Sequence, residues 1–303
     1  MVTLWRGLAR AFAVLPWGWL RAAGAVIGWI AGSLLRIRRA QVEAALRSSG
    51  IPAPAPNARA MYRSLGTSAA EFLWLVGRGA DARRHARVDE RSRALLAAAL
   101  SRGCGVVLAA SHTANWDMAA CAMAATLKAW GAGPFLVVTK RLRARGLDRF
   151  WQEARAARGV SLAGAGDAMA RVRAVLGSGG AVAMMIDQVP ALPRHAVRGV
   201  VLGRPAWIDR SPATVAARHR APLLVTAGRR DREGEHHLAV LAVFEPPKRA
   251  GRAWIDATTF AASAALDEFV RAHPDQWLWL HRRWRAPLPE RRSPRLEARI
   301  GSP

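Results

Sequence analysis

Short runs that are apolar at nearly every position alternate along this chain with longer helical patterns, and this alternation restricts the available folds more than any other feature. Val106–Ala110, Phe135–Thr139 and Ala181–Ile186 are such runs. A strand with one face in water alternates apolar and polar residues, whereas a strand covered on both faces does not. The pattern therefore predicts an α/β fold, with a mainly parallel sheet flanked by helices.

The rest of the chain divides around these runs. Leu223–Gly228 and Leu238–Phe244 are predicted as further strands, and a proline-spaced linker is expected at Ile51–Asn57. The predicted helices are 58–77, Asp89–Arg102 (capped by Asp89), Trp116–Trp130, Leu147–Arg158, a helix capped by Asp167, Ser211–Arg220 and Thr258–Ala272. We expect an N-terminal segment at 1–50, a main domain at 58–290 and an arginine-rich tail at 291–303.

The N-terminal segment has the composition of a membrane-associated helix. Ala22–Leu35 carries no charge, tryptophans precede it, and Arg36, Arg38 and Arg39 follow at once. A spanning helix needs ~20 apolar residues, and this uncharged run is about two-thirds of that length. Interfacial tryptophans and arginines favour a membrane anchor or a helix lying in the membrane plane. A buried core helix is the alternative.

The formal net charge is +25 at pH 7, and Lys128, Lys140 and Lys248 are the only lysines among 46 basic residues. Such a surface attracts polyanions, including anionic lipids, an acidic carrier protein or nucleic acid. We favour an anionic membrane because of the N-terminal segment, and we find no helix-turn-helix, zinc-finger or RNP pattern. Cys104 and Cys121 stand in apolar surroundings without a CxxC spacing, which indicates small buried side chains in a reducing compartment.

The stretch "VVLAASHTANWDMAACAMA" places His112, Asn115 and Asp117 directly after a predicted strand. On one regular helix His112 and Asp117 would point about 140° apart, so His112 must precede the helix if the two are to cooperate. Thr113 or Asn115 would then be the N-cap, and Asp117 in the first turn would orient the imidazole as a general base. The alternative is a capping cluster containing a hydrogen-bonded histidine.

The motif "HTANWD" resembles the H-x4-D signature of glycerolipid and lipid A acyltransferases, and five further segments occur in the order seen in the bacterial lipid A acyltransferase family. The five are "RIRRAQVEAAL", "VVTKRLRARGLDRFWQEARAARGVSL", "GGAVAMMIDQVP", "VVLGRPAWIDRSPATVAARHRAPLL" and "RAHPDQWLWLHRRWRAPLP". The resemblance spans nearly the whole chain. It implies a glycerolipid acyltransferase-like fold and an enzyme of the inner membrane, at its cytoplasmic face.

The resemblance also implies the chemistry and its residues. His112 and Asp117 would be catalytic, with the histidine deprotonating an acceptor hydroxyl that attacks an acyl thioester. The thioester would be carried by acyl carrier protein or coenzyme A, and the acceptor would be a phosphorylated glycolipid precursor, in the first place that of lipid A. The predicted substrate-binding residues are Asn115, Lys140, Arg158, Asp187, Gln188, His281, Arg282 and Arg283. Neither a cofactor nor a metal is expected.

Three of these assignments have alternatives. Asp187–Gln188 also fits a polar turn before Pro190, and the arginines of "WLWLHRRWR" also fit a surface helix end, although we interpret that stretch as a packed segment returning to the mouth of the site.

Many lipid A members carry glutamate where Asp117 stands, whereas the phosphatidylinositol-mannoside acyltransferases carry aspartate. The acceptor could therefore be a lysophospholipid, a mannosylated lipid or an aminolipid, and a non-catalytic basic protein binding membranes or nucleic acid is the remaining hypothesis. The pair His236–His237 is expected at the surface.

Overall fold

The computed structural model describes residues 2–139, 144–164, 167–190 and 192–285. Its main element is a seven-stranded sheet with the order β1-β9-β8-β2-β5-β3-β4. Every neighbouring pair is parallel except β8 and β9. The strands are β1 (Ala86–Val88), β2 (Val106–Ala110), β3 (Phe135–Val138), β4 (Val160–Ala163), β5 (Ala181–Met185), β8 (Leu223–Arg230) and β9 (His236–Phe244). An antiparallel hairpin of β6 (Ala196–Val201) and β7 (Arg204–Asp209) stands apart.

Ten α-helices lie within the described residues. They are α1 (Val2–Ala13), α2 (Trp17–Trp29), α3 (Arg39–Ser48), α4 (Pro54–Arg78), α5 (Glu90–Leu100), α6 (Trp116–Ala129), α7 (Arg145–Ala156), α8 (Ala168–Gly177), α9 (Ser211–His219) and α10 (Arg252–Ala272). A π-helical turn, Ile30–Leu34, continues α2.

The sheet is covered on both faces, as the apolar runs predict. In β2, Val107 and Ala109 belong to one core cluster, while Val106 and Leu108 belong to another. Helices α8, α9 and α10 contribute to the first cluster, and α5, α6 and α7 contribute to the second. Because alternate side chains of one strand enter different cores, polar alternation would place polar groups in one of them. The predicted α/β class is confirmed.

Most predicted elements are present with shifted ends. Asp89 caps α5 by accepting a hydrogen bond from the Ser92 amide at 2.8 Å. Asp167 precedes α8 but makes no side-chain capping bond. The linker Ile51–Asn57 is shorter than expected because α4 begins at Pro54, and proline is tolerated in a first helical turn where no amide donor is needed.

The N-terminal helices pack against α4 through glycines. Gly24 and Gly28 of α2 and Gly32 of the π turn are buried, and a β-carbon at Gly28 would overlap the carbonyl group of Tyr62. Their spacing of four residues places them on one side of the helix. The other side is exposed and apolar, with Trp19, Val26, Ile27, Ile30 and Leu34.

Within the described residues, no single helix is long and apolar enough to cross a membrane. Trp17–Leu34 and Arg39–Ser48 pass such a test only as a pair, bent by 88°. The second member of that pair contributes Val42 and Leu46 to a core cluster beside the sheet. Attachment of the protein to a membrane through this segment stays a prediction.

Candidate active site

The loop between β2 and α6, residues 111–115, leaves the carboxyl end of a strand near the middle of the sheet. Open α/β sheets bind their ligands at this position. Ala114 adopts a left-handed conformation with φ +48°. The Ala114 amide donates to the Gln276 carbonyl at 2.8 Å, and the Leu278 amide donates to the His112 carbonyl at 3.1 Å. The C-terminal segment, residues 276–285, therefore binds the loop through backbone hydrogen bonds.

Asp187, which follows β5, is the partner of His112. Its Oδ1 lies 2.9 Å from Nδ1 of His112, and its Oδ2 accepts the His112 backbone amide at 2.7 Å. The Trp277 indole also donates to Oδ2, at 2.9 Å. Because a carboxylate only accepts, Nδ1 carries a proton, and in the neutral imidazole Nε2 then presents a lone pair. Burial raises the pKa of Asp187, but the charge of His112 and its hydrogen bonds lower it more, so this carboxyl stays ionised.

Nε2 of His112 faces two further polar side chains. Nε2 of Gln188 lies 3.4 Å from it and 3.2 Å from Nε2 of His281. The rings of His112 and His281 are 4.9 Å apart between centroids. Gln188 and His281, both predicted to bind substrate, therefore lie beside the candidate base, and their contact with a substrate stays a prediction. The C-terminal segment returns to the mouth of the site, and its own Trp277 and Trp279 side chains are buried.

The predicted pairing of His112 with Asp117 is wrong. Asp117 lies in the first turn of α6 as expected, but its carboxylate accepts hydrogen bonds from the Trp151 indole at 2.8 Å and from Nε of Arg155 at 2.7 Å. Both donors come from α7. Asp187 occupies the position expected for Asp117, and since Asp187 is fully buried, it contacts His112 rather than presenting itself to a substrate.

His112 opens on an apolar cavity of about 440 Å³. Asp117, Arg155, Gln188 and Asp209 also line it. Its apolar lining includes Val88, Leu108, Trp116, Met123, Phe135, Val137, Ala183, Met184, Leu238 and Val240. A long apolar ligand group can thus be buried beside the imidazole, where removal from water favours binding.

Three other predicted binding residues do not line this cavity. Asn115 is buried as the N-cap of α6, accepting the Met118 amide at 3.1 Å. Arg158 donates to the Ala154 and Leu75 carbonyls, at 3.0 and 2.6 Å, and lines a second cavity. Arg283 is buried and donates to the Trp207 carbonyl at 2.7 Å. The two guanidinium groups donate to backbone carbonyls, and the Asn115 side chain bonds the Met118 amide, the Ser68 carbonyl and Glu71, so direct substrate contact is not supported for these three.

The other cationic predictions have different outcomes. Arg282 is exposed, and a phosphate contact through it stays a prediction. Lys140 and the tail 291–303 lie outside the described residues.

Several groups at the site were not predicted. Arg155 lines the cavity and pairs with Asp117, and Trp277 holds Asp187. His236 is buried rather than at the surface, with Nε2 2.9 Å from the buried carboxylate of Glu71. Arg155 and Trp277 are visible in the sequence, but no local pattern connects them to their partners Asp117 and Asp187, which lie 38 and 90 positions away. No three His, Cys, Asp or Glu side chains converge as a metal site in the described ranges.

Fold and site together define an α/β protein with a histidine–carboxylate pair at the end of a central parallel strand, opening on an apolar cavity. A family model for bacterial lipid A biosynthesis acyltransferases matches residues 1–286, and the chain belongs to this family. It is therefore an acyltransferase acting on a lipid A-like acceptor, and its family is membrane-associated in bacteria. No curated protein gives a significant match to the chain.

Proposed function

We propose that this protein transfers a fatty acyl group from an acyl thioester to a hydroxyl of a lipid A precursor, with His112 as the general base. The observation that carries the proposal is the hydrogen bond between Nδ1 of His112 and Asp187, which leaves Nε2 as an acceptor beside an apolar cavity. Acyl carrier protein and coenzyme A are both candidate thioester carriers, since each presents its acyl group on phosphopantetheine.

In this proposal the proton passes from the acceptor hydroxyl to His112 and from His112 to the leaving thiolate. Nε2 of His112 removes the proton of the acceptor hydroxyl as its oxygen attacks the thioester carbonyl carbon. Asp187 stabilises the imidazolium that forms, because its carboxylate is ionised and bonded to Nδ1. Collapse of the tetrahedral intermediate forms the ester, and the leaving thiolate takes the proton back from Nε2.

The other polar side chains of the site are assigned to the two substrates. The Gln188 amide and the His281 ring lie next to the imidazole, and we assign them to the acceptor hydroxyl or the developing oxyanion. Arg155 is a cationic residue of the cavity wall, and its charge is paired with the Asp117 carboxylate. Arg282, exposed beside His281, is our candidate for an acceptor phosphate.

The exposed apolar side of α2 supports membrane attachment. Trp19 is 74% exposed and Leu34 66% exposed, while the opposite side of the same helix is packed against α4. Arg36 and Arg38 are exposed next to this surface, so anionic headgroups complement it. We place the protein at the inner membrane, on its cytoplasmic face where acyl thioesters are available.

The test is transfer by purified His112→Ala. Loss of the base should lower kcat by ~10²–10⁴-fold while leaving the fold and vesicle binding unchanged. His237→Ala is the matched control, because this histidine also pairs with a carboxylate, Asp231 at 2.6 Å, but does not line the cavity. Wild-type kcat in His112→Ala would overturn the assignment. Mass spectrometry of lipid A from a deletion strain should show a species lacking one acyl chain, and unchanged lipid A would exclude this acceptor.

A further inference from the structure

A buried carboxylate, Glu71 of α4, lies at the centre of a polar cluster below the β2–α6 loop. Its side chain is fully buried. Its Oε2 accepts hydrogen bonds from Arg230 and His236, each at 2.9 Å, and from the Asn115 side-chain amide at 3.0 Å. Burial raises the pKa of Glu71, but Arg230 and His236 lower it to about 2, so the carboxylate is charged. A charge this deeply buried must be paired, and here three different elements supply the donors to Oε2, while Nε of Arg21 in α2 lies 3.8 Å from Oε1.

This cluster is connected directly to the loop that carries His112. The Asn115 amide that donates to Glu71 also donates to the Ser68 carbonyl at 3.1 Å, and Ser68 Oγ donates to the Ala114 carbonyl at 3.1 Å. The oxygen of the same Asn115 side chain caps α6. One amide group therefore fixes both the start of the helix and the end of the loop to α4.

Arg230 links the cluster to the C-terminal segment as well. Its backbone amide donates to Oε1 of Gln276 at 2.6 Å, and its carbonyl accepts the Gln276 side-chain amide at 2.9 Å. The Gln276 carbonyl in turn accepts the Ala114 amide. The loop is thus held on one side by α4 and on the other by the segment beginning at Gln276, with Arg230 touching both.

The loop requires such support because of its backbone. A left-handed conformation at a residue with a β-carbon, as at Ala114, persists only where the surroundings enforce it. Ala114 lies within the H-x4-D motif, between His112 and Asp117. If the loop relaxed, His112 would move away from Asp187 and from the cavity, and small displacements of a catalytic group reduce the rate strongly.

We infer that Glu71, acting through the Asn115 side-chain amide, is a positioning residue that holds His112 in its reactive place. This inference rests on the proposed role of His112 as the base. Glu71 is too deeply buried to touch a substrate, so it acts by fixing the loop rather than by entering the chemistry.

Asn115→Ser tests the link without removing the helix cap. Serine is a good N-cap, but it has no amide to donate to Glu71 or to the Ser68 carbonyl. We expect kcat for acyl transfer to fall about 10- to 100-fold, with KM for the thioester unchanged. Asp89→Ser in the N-cap of α5 is the matched control and should keep wild-type kcat. Wild-type kcat in Asn115→Ser, or a rise in KM alone, would overturn the inference.

A double-mutant cycle separates positioning from a purely structural role. If Glu71 acts through the orientation of His112, Glu71→Gln should lower kcat about 10-fold in the wild type but by less than 2-fold when Asp187→Asn has already loosened the imidazole. Equal losses in both backgrounds would contradict the inference. Should Glu71→Gln fail to fold, the same cycle is made with Asn115→Ser. Full activity of His112→Ala would instead refute the proposed base, so the two failures are distinguishable.

Discussion

At the scale of single residues, the two carboxylates near His112 have different partners and should respond differently to substitution. Asp187 accepts the Nδ1 proton and the backbone amide of His112. In Asp187→Asn the amide side chain keeps the size but can present an N–H to Nδ1, which favours the wrong tautomer. We expect kcat to fall ~10²–10⁴-fold with little change in KM for the thioester. Steady-state kinetics on protein of verified folding measures this, and retained kcat would show that the pair is not catalytic.

Asp117 should tolerate a longer carboxylate better than a neutral side chain. Its carboxylate meets Trp151 and Arg155 of α7, and both partners have rotatable side chains that can adjust by one methylene. We expect Asp117→Glu to retain kcat within a few-fold, whereas Asp117→Asn leaves the half-buried Arg155 unpaired and costs about 1–3 kcal/mol of stability. Thermal unfolding and transfer rates of the two variants check this. Equal damage from both would contradict this expectation, since the length of residue 117 would then matter as much as its charge.

The sequence could identify these residues but not their pairing. His112 and Asp187 each follow an apolar run, and strands of a parallel sheet end at the same edge, so both were expected at a site. Their contact depends on β2 and β5 being neighbours in the sheet, which no local pattern determines. Spacing favoured Asp117 because it is near in the chain, although its helical position turns it toward α7.

At the scale of elements, α2 approaches α4 closely enough at its glycines for the two backbones to be in contact. A β-carbon at Gly28 would overlap the Tyr62 carbonyl, whereas one at Gly18 of the same helix would meet nothing within 4 Å. We expect Gly28→Ala to destabilise the fold by about 1–3 kcal/mol through overpacking. Gly18→Ala is the control and should be neutral or slightly stabilising, since alanine favours helix. Denaturant unfolding distinguishes them, and equal stability would mean that the helices separate easily.

Helices and fully buried strands were the elements that the sequence predicted well. β2 matches its expected bounds, and α6 ends one residue early. β1 and β4 were missed because each is short and is interrupted by a polar residue, Arg87 and Ser161, so neither forms a continuous apolar run. The hairpin of β6 and β7 was also missed, since its turn at Leu202–Gly203 lacks the Asn-Gly or Asp-Gly signal. The antiparallel pairing of β8 with β9 depends on tertiary neighbours.

At the scale of the whole molecule, apolar and positively charged surfaces are predicted to act together in membrane attachment. Removing water from a large exposed side chain contributes roughly 1.5–3 kcal/mol, while surface arginines add a salt-dependent attraction to anionic lipid. We expect Trp19→Gln/Val26→Gln/Leu34→Gln to release most of the protein from anionic vesicles, with a residual binding that disappears at high salt. Removing residues 1–35 altogether should have the same effect on binding, but it also uncovers α4.

The control uses exposed apolar residues far along the chain. Met169→Gln/Val200→Gln changes side chains that are 50% and 60% exposed but belong to α8 and the hairpin. Vesicle flotation of this variant should match the wild type. If the triple variant of α2 and the π turn floats equally well, the membrane surface lies elsewhere on the molecule.

The contacts that Gln276 and Leu278 make with the β2–α6 loop also affect how the protein matures during synthesis. The last strand of the sheet ends at Phe244, and α10 ends at Ala272, before the segment that makes these contacts. Residues 112–115 therefore lack this restraint until the segment beginning at Gln276 has been synthesised and has packed onto the loop. A chain that stops before Gln276 would be unable to hold His112 in place. The enzyme would acquire its activity only once this segment has reached the loop.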